Sequence, residues 1–213
     1  HMKARATLPV ITALAVVLGA VGAAAGTVRV DWAGGGDYAT IQEGITAAGP
    51  GDTVLVASGT YTGAQNRGLD FAGKSIVVMS EAGEAATTID CEDQDRAFYF
   101  HSGEDTTSVV RGFTITGGSA DPGGGGVFCS GASPKLVDII FQENHAASYG
   151  GGLYANSSSS PVVVTCEFNG NTTGGSGGGI YSFSSTVTVR GTFFSGNTAT
   201  SWGGGVVSYS RST

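Results

Sequence analysis

The stretch Gly124-Gly125-Gly126-Val127-Phe128 decides the fold, because the chain repeats it three more times. The later copies are Gly150-Gly151-Gly152-Leu153-Tyr154, Gly177-Gly178-Gly179-Ile180-Tyr181 and Gly203-Gly204-Gly205-Val206-Val207. They begin at residues 124, 150, 177 and 203, so the period is 26 or 27 residues. A period of this length is typical of a solenoid, in which each coil buries its apolar face against its neighbours.

A second motif, Phe-x-x-Asn, alternates with the glycine motif at the same period. Its copies are Phe141-Gln142-Glu143-Asn144, Phe168-Asn169-Gly170-Asn171 and Phe194-Ser195-Gly196-Asn197. Short runs rich in Val, Ile, Phe, Tyr and Thr lie between clusters of Gly, Ser and Asn, which supply tight turns. No window in this region has apolar residues at the spacing of a helix. The pattern therefore predicts an all-β fold, a parallel β-helix built from short strands.

Alignment of the coils predicts which side chains stack. Four interior ladders are expected: Val110, Leu136, Val163 and Val189; Phe113, Ile139, Cys166 and Thr192; Ile115, Phe141, Phe168 and Phe194; and Val127, Leu153, Ile180 and Val206. Two further stacks fall where the chain must bend: Gly112, Asp138, Thr165 and Gly191, and Gly118, Asn144, Asn171 and Asn197. Asn is expected in the second stack because it tolerates bends best after Gly.

One position beyond the fourth ladder lie Phe128, Tyr154 and Tyr181. Because side chains alternate across a strand, these three should point outward. They are the candidate residues for contact with a partner surface.

The two alternating motifs resemble the repeats of polymorphic outer membrane proteins, within the wider pectin-lyase-like family of right-handed β-helices. The segments Asp37–Glu43, Pro50–Val56 and Gly59-Thr60-Tyr61 are similar to the usual opening of pectin-lyase-like proteins. The resemblance implies a right-handed parallel β-helix that is secreted or displayed at the cell surface, often as an adhesin. It also implies that family members which are enzymes act mostly on acidic polysaccharides.

Residues 1–25 are interpreted as a cloning scar, His1-Met2, followed by a secretory signal peptide. Lys3 and Arg5 precede the apolar stretch Leu8–Gly22, and small residues follow it as a cleavage site. The alternative is a membrane anchor, but the stretch falls short of the ~20 strongly apolar residues that a span needs. We therefore expect a secreted, extracellular or cell-surface protein whose mature chain has no transmembrane span.

Residues 26–213 are expected to form the β-helix, with a capping helix at 37–48 and regular coils of about 26 residues over 106–213. Asp37 is predicted to cap this helix, and Tyr38, Ile41, Ile45 and Ala48 should form its apolar stripe. The last coil is incomplete, so the sequence predicts either a fragment of a longer β-helix or end-to-end self-association.

The charge of the chain argues against binding to nucleic acid. The sequence has 10 basic and 17 acidic residues, and loss of Lys3 and Arg5 with the signal leaves 8 against 17, a net charge of −9. Gly68–Ser75 matches the phosphate-binding pattern GxxxxGK[ST], but a strand-like run, Ile76–Met79, follows instead of a helix. We interpret the stretch as a turn and expect no nucleotide partner.

Asp90, Glu92, Asp93 and Asp95 form the densest group of carboxylates. Ca²⁺ prefers crowded oxygen ligands, so these residues are candidate calcium ligands. The alternative is a solvated loop, since no glycine lies between Asp90 and Asp95 to force the sharp turn of a calcium loop. No other cofactor is expected.

The chain has three cysteines, Cys91, Cys129 and Cys166, and an odd count leaves at least one thiol free. We interpret all three as small buried hydrophobic residues. No acidic or basic pair faces another at the same ladder position, so no catalytic residue is assigned. The sequence favours a non-enzymatic module for adhesion, structure or contact with an extracellular glycan or protein surface. The alternative is a fragment of a polysaccharide lyase or glycoside hydrolase of the pectin-lyase-like family.

Overall fold

The computed structural model describes residues 24–210, which form a parallel β-helix with one short helix, α1 (Ile41–Ala47). The strands of this region are β1 (Thr27–Val30), β2 (Thr53–Val56), β3 (Gly59–Tyr61), β4 (Val77–Ser80), β5 (Thr87–Asp90), β6 (Phe98–Phe100), β7 (Val109–Arg111), β8 (Thr114–Thr116), β9 (Ser119–Ala120), β10 (Val127–Ser130), β11 (Lys135–Val137), β12 (Ile140–Gln142), β13 (His145–Ala146), β14 (Leu153–Asn156), β15 (Val162–Val164), β16 (Glu167–Asn169), β17 (Thr172–Thr173), β18 (Ile180–Phe183), β19 (Thr188–Arg190), β20 (Phe193–Ser195), β21 (Thr198–Ala199) and β22 (Val206–Tyr209). Most of the predicted signal peptide, residues 1–23, lies outside the described residues.

The strands form four parallel sheets that run along the axis of the solenoid. Sheet A has the order β1-β2-β4-β7-β11-β15-β19, and sheet B has the order β20-β16-β12-β8-β5-β3. Sheet C is β22-β18-β14-β10-β6, and sheet D is β21-β17-β13-β9. Neighbouring strands of a sheet come from successive coils, which is the arrangement that the 26-residue period predicts.

The register of the strands confirms the interior ladders, although the last members of two of them, Val189 and Val206, pair in register but are 37% and 47% exposed. In sheet C, Val127 pairs with Leu153 and Leu153 with Ile180, and all three are fully buried. Phe141 and Phe168 of sheet B stack with ring centroids 4.4 Å apart. Alternation of inward and outward side chains therefore gives the β-helix one continuous apolar core.

The glycine motif has two separate physical causes. Its first residue adopts a left-handed backbone, with φ of 69° at Gly124 and 59° at Gly150. Its second residue has no room for a side chain, because a Cβ on Gly151 would lie 2.5 Å from the carbonyl oxygen of Gly178 in the next coil. The same distance from a Cβ on Gly178 to the carbonyl oxygen of Gly204 is 2.5 Å. The carbonyl oxygen of one copy thus occupies the place that a side chain would need at the second glycine of the preceding copy.

One of the two predicted bend stacks is confirmed. Gly112, Asp138, Thr165 and Gly191 all have left-handed φ values, of 78°, 51°, 49° and 58°. Such a backbone is unfavourable for Asp and Thr. It is held by side-chain contacts, since the Asp138 carboxylate accepts hydrogen bonds from Arg111 Nε at 3.0 Å and from the Thr165 hydroxyl.

The explanation offered for the second stack is wrong, because its asparagines do not make the bend. The left-handed residues are their predecessors, which include Glu143, Gly170 and Gly196. The asparagine side chains point inward instead, and Asn144 and Asn171 are completely buried. Local sequence cannot separate these two roles, since both the bend and the inward amide recur at the same period.

The inward asparagines form a ladder of hydrogen bonds. Asn171 Oδ1 accepts from the backbone N–H and the side-chain Nδ2 of Asn144, at 3.1 and 3.0 Å. Asn171 Nδ2 donates to the carbonyl oxygen of Phe141 at 2.9 Å and to Asn197 Oδ1 at 2.9 Å. The side chains satisfy backbone groups at a corner of the coil, where sheet pairing is interrupted.

The N-terminal helix is shorter than predicted and begins at a different residue. Thr40 is the N-cap, and the Glu43 carboxylate accepts from the Thr40 N–H and hydroxyl, as in a capping box. Asp37 accepts from the Arg29 N–H at 2.8 Å instead. Tyr38 lies in an extended bridge with Val30 and is 39% exposed, so its assignment to the apolar stripe is wrong. The remainder of the predicted stripe, Ile41, Ile45 and Ala48, is buried as expected.

The phosphate-loop-like stretch is a turn followed by strand β4, as interpreted. Ala72 and Gly73 have left-handed φ values of 52° and 74°. Lys74 Nζ donates to the carbonyl oxygens of Ile45, Thr46 and Ala48, at 2.9, 2.8 and 3.0 Å. A cation at this position stabilises the C-terminal end of α1.

We predict that Asn171→Ala lowers the free energy of unfolding by about 2–5 kcal/mol, because it leaves buried donors and acceptors in two adjacent coils without partners. Urea denaturation measures the change. The matched control is Asn169→Ala, since Asn169 lies two residues away, points outward and donates to Glu167 Oε2 at 3.2 Å. An equal decrease in the free energy of unfolding of the two variants would show that the buried asparagine ladder stabilises the fold no more than an exposed hydrogen bond does.

Candidate binding site

The four predicted calcium ligands do not converge. Within residues 24–210, no group of three or more His, Cys, Asp or Glu side chains is placed to share a metal ion. The Glu92 carboxylate instead pairs with Arg67 and accepts from the Gly63 N–H at 2.9 Å. Calcium binding by Asp90, Glu92, Asp93 and Asp95 stays a prediction that this arrangement does not favour.

The acidic residues have local roles in an exposed turn. Asp90 Oδ1 accepts from the Glu92 N–H at 2.9 Å, and Asp95 Oδ1 accepts from the Arg96 N–H at 2.7 Å. Glu92 and Asp93 both have left-handed φ values, of 57° and 55°. Non-glycine residues therefore make the sharp turn for which the sequence offers no glycine, and side-chain acceptors support it.

Phe128, Tyr154 and Tyr181 lie outside the main core, as the alternation of side chains predicts. They are only 8%, 6% and 7% exposed, however, so the expectation of an open contact surface is wrong in this respect. The reason is the parallel register, which brings Phe128 and Tyr154 to a centroid distance of 4.9 Å with an interplanar angle of 2°. Their ring faces cover each other. Their role in contact with a partner stays a prediction.

Tyr99 extends this row by one coil, with its ring centroid 5.2 Å from that of Phe128. We call Tyr99, Phe128, Tyr154 and Tyr181 the aromatic column. The Arg96 guanidinium carbon lies 5.3 Å from the Tyr99 ring centroid and 5.1 Å from that of Phe128, within reach of cation–π attraction. The guanidinium therefore lies alongside the Tyr99 and Phe128 rings of the column.

Tyr149 lies beside the Tyr154 and Tyr181 rings of the aromatic column, whereas Val207 of the next coil follows Tyr181 in the row. The Tyr149 ring centroid lies 4.8 Å from that of Tyr181 and 5.6 Å from that of Tyr154. Tyr149 itself is 37% exposed, although its coil lies in the middle of the solenoid with paired neighbours on both sides. Trp202 and Tyr209, one coil or more further along this face, are also exposed, at 69% and 48%, so Tyr149 is the exposed aromatic side chain whose own coil is paired on both sides. Sequence reasoning missed it, although it occupies the position directly before a copy of the glycine motif, as Trp202 does.

A cleft of about 350 Å³ opens beside the aromatic column. Its lining residues are Gly68, Asp95, Arg96, Tyr99, Asp121, Pro122 and Phe128. Arg96 contacts the rings of Tyr99 and Phe128. The two carboxylates come from successive coils, since Asp95 lies in the turn before β6 and Asp121 in the turn before β10. The cleft thus combines aromatic edges, one cation and two carboxylates. Of the lining residues, Asp95 and Phe128 were singled out from the sequence as candidate site residues.

The charged groups of the cleft keep part of their hydrogen-bonding capacity free. Asp95 Oδ1 accepts from the Arg96 N–H, and Arg96 Nε lies 3.4 Å from the same oxygen. Among the described residues, no donor bonds to Asp95 Oδ2 or to the Asp121 carboxylate, and the Arg96 Nη groups have no protein acceptor. The Arg96 side chain is only 12% exposed, so its position is well defined.

The three cysteines are buried and have no disulfide partner, which confirms their interpretation as small buried residues. Burial raises the pKa of Cys91 and of Cys166 to about 12 and raises that of Cys129 as well, because the apolar core disfavours a thiolate. These thiols stay protonated at neutral pH and are poor nucleophiles and metal ligands in the folded chain.

A family model described as "Right handed beta helix region" matches residues 45–213. The chain therefore belongs to the right-handed β-helix family, and its coils wind with that hand. The finer resemblance to pectin-lyase-like proteins and to polymorphic outer membrane protein repeats stays an interpretation. No curated protein and no solved structure matches the chain. Of the helical segments described, none is long and apolar enough to cross a membrane.

We predict that the stability of the fold falls as pH rises above about 9. Thiols of the unfolded chain lose their protons near pH 8.5, whereas Cys166 keeps its proton to about pH 12 when folded. The free energy of unfolding therefore decreases as the pH rises between these two values. Cys166→Ala should reduce the slope of unfolding free energy against pH by up to about 1.4 kcal/mol per pH unit in this window.

Urea denaturation at several pH values measures this slope. Ser182→Ala is the control, because Ser182 is also buried but does not titrate in this range. An identical slope in the wild-type chain and in Cys166→Ala would contradict the burial of a protonated thiol.

Proposed function

We propose that the protein is a non-enzymatic, secreted or cell-surface β-helix module that contacts an extracellular glycan through the outer face of sheet C. The observation that carries this proposal is the exposed Tyr149 ring, held in place by Tyr154 and Tyr181. Tyr149 does not line the polar cleft, but its N–H donates to the carbonyl oxygen of Pro122, a lining residue, at 3.0 Å. A rigid aromatic ring one coil away from free carboxylates suits an extended ligand that has both apolar C–H faces and hydroxyl groups.

Rigidity of the surface supports the proposal. The aromatic column is tied to sheet C, whose strands pair in register through five coils. Because the rings stack on one another, Tyr149 loses little conformational entropy when a ligand covers it. A β-helix presents such a face at a fixed spacing, as an adhesion or structural module requires.

Export from the cytoplasm is part of the same proposal. It is supported by the basic residues, apolar stretch and small residues at positions 3–25 of the sequence. The negative charge of the remaining chain is consistent with an extracellular glycan or protein partner and disfavours nucleic acid. Mass spectrometry of the exported chain should find an N-terminus close to residue 26.

We predict that Tyr149→Ala weakens retention by polysaccharide about tenfold or more, because the accessible ring is lost while the backbone is unchanged. Affinity electrophoresis in gels that contain glucomannan, xyloglucan or polygalacturonate measures retention. The control is Phe193→Ala, which removes a 70%-exposed aromatic ring from sheet B on another face. Equal retention of Tyr149→Ala and the wild-type chain would contradict the proposal.

A polysaccharide-degrading enzyme is the second candidate, and the presence of Asp95 and Asp121 in one cleft favours it. Glycoside hydrolysis uses two carboxyl groups that flank the scissile bond. If the protein is such an enzyme, it should release reducing ends from a retained polysaccharide, and Asp121→Asn should lower the rate by about 100-fold or more. Retention without release, which we expect, supports the non-enzymatic module.

A further inference from the structure

We infer that the cleft beside the aromatic column binds one unit of a neutral saccharide. The inference rests on the proposed function, because it assigns the glycan to one place on the outer face of sheet C. The cleft is about 350 Å³, which lies within the ordinary range of small-molecule sites.

The shape of the cleft depends on Gly68. A Cβ at this position would lie 3.0 Å from Asp95 Oδ2, and the backbone there is left-handed, with φ of 60°. Glycine therefore leaves this carboxylate oxygen uncovered at the wall of the cleft. Asp121, on the following turn, is exposed and adds a second carboxylate that accepts no hydrogen bond from the described residues.

The free groups of the cleft are complementary to hydroxyl groups. Asp95 Oδ2 and the Asp121 carboxylate accept hydrogen bonds, and the Arg96 Nη groups donate them. A saccharide hydroxyl can do both at once, so adjacent hydroxyls can bridge an aspartate and the guanidinium. Arg96 is already fixed over the rings of Tyr99 and Phe128, and little entropy is lost when it binds.

Charge determines which saccharide fits. Two carboxylates and one guanidinium give the cleft a net charge of −1, and the whole chain carries −7, so a uronate would be repelled. The ammonium group of an amino sugar would be attracted to the carboxylates, but the Arg96 guanidinium, whose Nε lies 3.4 Å from Asp95 Oδ1, would repel it there and offset part of that attraction. A neutral sugar ring meets neither penalty, and its C–H groups can pack against the partly exposed Tyr99 side chain.

The test is calorimetric titration of the full chain with cellohexaose, mannohexaose, xylohexaose, hexagalacturonate and the glucosamine hexamer. At least one neutral hexamer should bind more tightly than both charged ones. Asp121→Asn and Arg96→Gln should each weaken that binding about tenfold, the usual effect of losing a hydrogen bond to a charged group. Raised salt should leave the affinity unchanged, because the ligand has no charge.

Asp93→Asn is the matched control. It removes the same charge as Asp121→Asn, from the turn that carries Asp95, but Asp93 does not line the cleft, and asparagine tolerates its left-handed backbone. Its affinity for the neutral hexamer should equal that of the wild-type chain. Thermal unfolding of each variant checks that the coils are intact.

The outcomes separate the inference from the proposed function. If the neutral hexamer binds Asp121→Asn and Arg96→Gln as tightly as the wild-type chain, while Tyr149→Ala loses it, the cleft assignment is overturned and the glycan module stands. Preferential binding of hexagalacturonate or of the glucosamine hexamer overturns the neutral class. If the full chain binds no saccharide of the panel, both the inference and the proposed function fall.

Discussion

The constraint on which the whole structure depends is that each coil pairs with the next in the same register. In sheet C, for example, residue 127 meets 153, and 153 meets 180. Backbone hydrogen bonds run along the axis, and every side chain meets the equivalent side chain one coil away. A residue type that stacks well with itself is therefore favoured at each position, and this explains the rows of Phe, Asn and Gly.

This constraint determines what the sequence could reveal. Interior ladders such as Val127, Leu153 and Ile180 were predictable because apolar residue type and the repeat period indicate the same strand face, and these three residues are buried. The asparagine stack was located correctly, but its mechanism was not, because a bend and an inward amide give the same periodic signal. The start of α1 was misplaced from Thr40 to Asp37, since both residue types are good N-caps.

The candidate site was much less predictable than the fold. Phe128, Tyr154 and Tyr181 were recognised as outward-facing, yet the stacking that closes their ring faces depends on distances between coils. Arg96 and Asp121 lie in turns outside the repeated motifs, and the position of Tyr149, although it recurs before each glycine motif, holds a different residue type in every coil: Gly123, Tyr149, Ser176 and Trp202. The cleft arises from the contact of two such turns with sheet C, and this contact is long-range information that a single sequence does not carry.

The close approach of the glycine motifs also limits how such a chain can change in length. The second glycine of each of the first three copies lies against the carbonyl oxygen of its counterpart, so it fits only if that counterpart arrives at the same point of the next coil. Insertion of one residue within this region would displace every later row by one position and reverse its inward and outward faces. Gain or loss of a complete coil preserves every one of these contacts. Whole coils are thus the natural unit in which the solenoid lengthens or shortens, whereas insertions of other sizes are confined to the turns.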